Sequence, residues 1–86
     1  MHELSVAIEV CRIADARLGA AGAARLCTVA LEVGEDAGLE PENLEFCLGA
    51  LLAEPPFSGA RATISRMAGS DLRVSYLEVD DGSPDD

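Results

Sequence analysis

One imidazole occurs in this 86-residue chain, and it stands at position 2. A free amine on Met1, the amide nitrogen of His2 and its Nδ1 close two fused chelate rings, one five-membered and one six-membered. Divalent nickel and copper favour such square-planar nitrogen sets, and the metal helps displace the amide proton. The backbone nitrogen of Glu3 can supply a fourth ligand. Methionine is expected to stay at position 1, because the side chain that follows it is large. The same placement also fits a plain surface residue beside a frayed terminus. Residue type alone leaves both readings open.

The other candidates are weaker. Cys11, Cys27 and Cys47 are separated by 16 and 20 residues. No CxxC pair exists, so the usual structural-zinc and thioredoxin-like spacings are absent. Each cysteine falls on the apolar face of its predicted element, where a free thiol behaves as a small hydrophobe and is expected to be buried. The carboxylates are too numerous for any pair to stand out as an acid/base couple. Gly34 and Gly38 do not make a phosphate-binding loop, because the chain has no lysine at all. Nothing nearby would orient a Cys–His catalytic pair.

Composition narrows the function classes. Six arginines face sixteen acids, a net charge of −10. That balance excludes nucleic acid and anionic membrane surfaces as partners, since little here can displace phosphate counterions. Aromatic residues are 3% and tryptophan is absent, which argues against base-stacking platforms. A hydrophobic content of 49% suffices for one small core. No run approaches the roughly 20 apolar residues that span a bilayer. Glu3 and Glu9 interrupt what would have to be a signal peptide, so the expected compartment is the cytoplasm. A small acidic binding protein, carrier or subunit fits better than a self-contained enzyme.

These residues must be positioned by five elements. Leu4, Ala7, Ile8, Cys11, Ala14 and Leu18 recur at helical spacing, widened by Val6, Val10 and Ile13. Glu9 and Arg12 can pair on the solvated face, and the Gly19-Ala20-Ala21-Gly22 run ends the helix. Cys27, Val29, Leu31 and Val33 alternate with Thr28, Ala30 and Glu32, which predicts a strand. Pro41 suits the first position of a second helix, whose stripe is Leu44, Cys47, Leu48, Leu51 and Leu52, with Pro55-Pro56 as its stop. A second strand holds Ala60, Ala62 and Ile64. Ala68-Gly69-Ser70-Asp71 reads as a hairpin turn into a third strand, Leu72 to Val79. Apolar parity shifts there from Leu72 and Val74 to Leu77 and Val79, which a bulge near Tyr76 explains. The order α-β-α-β-β predicts an α+β fold, with two helices packed on one face of a small three-stranded mixed sheet. Residues 1–79 form the domain, and 80–86 read as a disordered acidic tail.

Several segments together resemble the HypA/HybF hydrogenase nickel-insertion proteins. They are Met1-His2-Glu3-Leu4-Ser5 before an amphipathic helix, Leu31-Glu32-Val33-Gly34, Gly38-Leu39-Glu40-Pro41-Glu42 and Leu44-Glu45-Phe46. Gly59-Ala60-Arg61-Ala62 and Asp71-Leu72-Arg73-Val74 through Glu78-Val79 extend the likeness over nearly the whole chain, in order. The resemblance implies a nickel metallochaperone for [NiFe]-hydrogenase maturation. Such a protein works with a HypB-type GTPase and delivers Ni²⁺ to the hydrogenase large subunit, with urease served by some members. Carried over residue by residue, the implied nickel site is Met1, His2 and Glu3.

The chain departs from that family in one place. Members carry a zinc-binding domain with paired CxxC motifs between the last two strands, whereas here Met67 runs through Ala68-Gly69-Ser70 directly into Asp71. The resemblance therefore implies a nickel-binding domain whose zinc domain is absent between 67 and 72, with no structural zinc. The rival reading is a protein-interaction subunit of a maturation complex that carries no metal.

Overall fold

The computed structural model describes residues 2–80. Five elements follow one another: α1 (Glu3–Ala24), β1 (Leu26–Gly34), α2 (Pro41–Leu52), β2 (Arg61–Met67) and β3 (Leu72–Val79). The sheet has the order β2-β1-β3, with β1 parallel to β2 and antiparallel to β3. A parallel pair needs a crossover, and α2 supplies it. Both helices pack on one face of this mixed sheet, as expected from the sequence. Val29, Leu31 and Val33 of β1 meet Leu44, Leu48 and Leu52 of α2 and Val6, Ala7, Val10 and Ala14 of α1 in one core.

The turn after β2 differs from the expectation. It is no hairpin, because β3 lies on the far side of β1. Residues 68–71 cross over the C-terminal end of β1. The Gly34, Glu35 and Asp36 amides donate to the Asp71, Met67 and Gly69 carbonyls at 2.7, 2.8 and 2.9 Å. Four extended residues reach about 13 Å, and two inter-strand spacings need only about 9.5 Å, so this short link suffices. β1 is the most buried of the three strands, with Leu26, Val29, Ala30, Leu31 and Val33 all buried, which fits its place in the middle of the sheet.

Two further details depart from the periodicity. Leu4 and Ile8 are 52% and 53% exposed. The buried face of α1 is rotated towards Ala7 and Ala14, whose small side chains let the helix lie close to its neighbours. Cys27 is exposed rather than buried. It is the extra residue of a bulge, since Leu26 pairs with Val79 while Thr28 pairs with Glu78. That slip turns Leu26 inward and Cys27 outward.

The second bulge is the one expected from parity. Ala30 pairs with Tyr76 and Leu31 with Val74, leaving Ser75 extra. Gly19 interrupts α1 at a φ of 72°, in a region that side chains other than hydrogen disfavour. Good alanine helix propensity then restores one more turn over residues 20–24. Asp80, the first residue of the expected acidic tail, is pinned by two backbone-directed bonds to Arg25, at 2.9 and 2.6 Å. Residues 81–86 of that tail lie outside the described residues.

Candidate metal centre

His2 is the N-cap of α1. It has an extended backbone (φ −86°, ψ 143°), and its side chain makes no capping bond. The ring is exposed to solvent. Glu3 is the first helical residue, and the first amides of a helix have no acceptor within it. An imidazole and a backbone nitrogen without an intrahelical partner thus stand side by side at the start of α1. Met1, the remaining residue of the expected site, lies outside the described residues.

The Glu3 carboxylate is differently employed. Its Oε2 accepts from the Glu40 amide at 3.0 Å and its Oε1 from Asn43 Nδ2 at 2.8 Å. Those two bonds, the Glu40 amide first and Asn43 second, hold the carboxyl below its ordinary titration range. Glu40 is in turn the N-cap of α2, and its own side chain accepts from the Glu42 amide at 2.9 Å. The first turns of the two helices are therefore joined through Glu3. Sequence reasoning missed Asn43 and Glu40 as partners. The available signal was the cap position itself, since Glu40-Pro41 announces a helix start whose amides need acceptors.

No group of three or more His, Cys, Asp or Glu side chains converges as a metal site among the described residues. Cys11, Cys27 and Cys47 are free thiols on three different elements. Burial pushes the Cys11 thiol up, away from the thiolate form that binds metals. The chemistry of the donor set at the start of α1 suits a borderline cation that accepts imidazole and amide nitrogen. No helix among the described residues is long and apolar enough to cross a membrane.

A family model described as "Hydrogenase/urease nickel incorporation, metallochaperone, hypA" matches residues 1–78. The chain is 38% identical over 68 residues to "Hydrogenase maturation factor HypA" of Chlorobium limicola, covering 79% of this chain and 59% of the relative. The protein of the same name from Geobacter metallireducens is 36% identical over 69 residues, covering 80% and 60%. That from Albidiferax ferrireducens is 34% identical over 79 residues, covering 92% and 70%. The chain thus spans 59% and 60% of the first two of these relatives. On a match that takes in both helices and nearly all of the sheet, the chain belongs to the HypA family of nickel-incorporation metallochaperones, which are not enzymes.

Proposed function

We propose that this chain is a nickel carrier for hydrogenase maturation, holding Ni²⁺ at Met1, His2 and Glu3 and passing it to a partner. In this reading the Met1 amine and the His2 amide and imidazole would fill three positions of a nitrogen-rich set around the metal, with Glu3 bordering the site. The observation that supports it is the exposed His2 ring, which caps nothing in α1 and adjoins an amide that has no helical acceptor. His2 is also the one histidine in the sequence, so a nitrogen-rich site has to recruit backbone groups. The hydrogenase large subunit, or urease, would be the acceptor, with a HypB-type GTPase as co-worker, in the cytoplasm. The nickel-binding unit is residues 1–79, without structural zinc.

Nickel titration of protein with an authentic Met1 tests the reading. His2→Ala should abolish square-planar binding, and so should an N-terminal extension of several residues without histidine. Both should leave the circular-dichroism spectrum and melting point unchanged, because His2 contributes nothing to the core. Affinity should fall as pH drops, since protons compete for amine, amide and imidazole together. Undiminished binding by the extended protein would sink the chelate and favour an interaction subunit that carries no metal.

A further inference from the structure

We infer that the Glu3 carboxylate is a positioning group, not a nickel ligand, and that together with Asn43 it locks the metal-binding terminus onto α2. The inference rests on the nickel reading proposed above, and it concerns what the side chain of Glu3 does there. Both of its oxygens are already taken, Oε2 by the Glu40 amide and Oε1 by Asn43 Nδ2. Charge-assisted bonds of this kind are stronger than neutral ones.

The arrangement has a recognisable logic. In a capping box, the residue at the third helical position reaches back with a carboxylate to the amide of its own N-cap. In α2 that third position is Asn43, which has no carboxylate to offer. Glu3 supplies one from the other helix, and Asn43 holds it in place by donating to its second oxygen. The negative charge also lies at the positive end of α2. A local capping bond has become a clamp between helices.

The clamp has a consequence for the metal. Glu3 joins the chelating His2 to the rest of α1, so fixing its side chain fixes the end of the chelating segment against α2. With both oxygens engaged, the carboxylate does not compete for a coordination position, and the ligands remain nitrogen. Releasing it would let the first turn of α1 fray, and the chelate would then have to order more chain on binding.

Asn43→Ala separates these roles, because it touches the clamp and leaves residues 1–3 intact. Nickel affinity should fall about tenfold, the scale seen when groups that orient a ligand are removed, while the visible absorption band of the bound metal keeps its wavelength. Glu3→Gln, which keeps the size but sets an amide against a donor, should behave alike and serves if Asn43→Ala folds poorly. In metal-free protein, Glu3→Gln should speed hydrogen exchange at the Glu40 amide, a readout that needs no nickel. Unchanged affinity in both variants would overturn the inference. A shifted band in Glu3→Gln with a normal one in Asn43→Ala would make the carboxylate a ligand and overturn it equally. Loss of nickel binding in none of the variants, His2→Ala included, would instead overturn the nickel site itself.

Discussion

Cys27 occupies the extra position of the β1 bulge and stands in solvent, whereas Cys11 and Cys47 are half-buried on the helices. Thiol reactivity follows the thiolate fraction and access. Burial raises the Cys11 thiol above its usual range, so at neutral pH less of it is ionised. Alkylation by iodoacetamide followed by mass mapping should label Cys27 first and Cys11 later. The gap should narrow in denaturant. Equal rates in the native protein would mean that the bulge does not turn Cys27 outward. The spacing of Glu9 and Arg12 predicts an ion pair, and it forms, with Arg12 Nε donating to Glu9 Oε1 at 3.0 Å. Arg12 holds the Glu9 carboxyl below its ordinary range, yet both side chains are more than half exposed and the pair adds little to stability.

At the scale of elements, the crossing of β1 by residues 68–71 depends on Gly34. A Cβ there would collide with the Gly69 carbonyl oxygen and lie 2.7 Å from its carbon and 2.9 Å from the Asp71 nitrogen. These are backbone atoms of the crossing segment itself, held by its hydrogen bonds to β1, so neither side can yield. Gly34→Ala should destabilise by roughly 1–3 kcal/mol, the usual range for overpacking. Gly49 is the internal control. It lies inside α2, where a methyl group in place of its hydrogen would meet nothing within 4 Å, so Gly49→Ala should add about 0.4–1 kcal/mol by restricting the unfolded chain. Urea melts of the two variants should move in opposite directions. Movement of both the same way would show that the crossing has slack.

The whole molecule carries a net charge of −10 on a body with a radius of gyration of 12.9 Å. Raising salt from about 0.01 M to about 0.15 M shortens the screening length from about 30 Å to about 8 Å. The first distance exceeds the radius and the second is less than it, so like charges across the fold stop repelling one another. Ion pairs such as Glu9–Arg12 and Glu32–Arg73 weaken over the same interval, but the first is open to solvent on both sides and the second on its arginine side, so their contribution is small. The melting temperature should therefore rise with salt. A flat or falling profile would mean that local pairs outweigh the global repulsion. The free edges of the sheet belong to β2 and β3, and Arg61, Arg66 and Arg73 on those strands guard against edge-to-edge association.

Local pattern in the chain was enough to determine the identity and order of its elements. The Leu44/Leu48/Leu52 stripe, the alternation of Val29, Leu31 and Val33, and the parity shift near Tyr76 each reflect one face meeting one core, and period alone reports that. The likeness to a nickel-insertion family was legible for a different reason, in segments of matching residues of which Met1-His2-Glu3-Leu4 is the first. Tertiary structure decided what periodicity does not encode. It put β3 beyond β1 rather than beside β2, because strand pairing depends on which edge is free when the link arrives. It turned Leu4 and Ile8 to solvent, because the approach of α1 is set by Ala7 and Ala14 against their neighbours. Above all it gave the Glu3 carboxylate to Glu40 and Asn43, since residues some forty positions away in sequence become hydrogen-bond partners only once two helix starts are packed side by side.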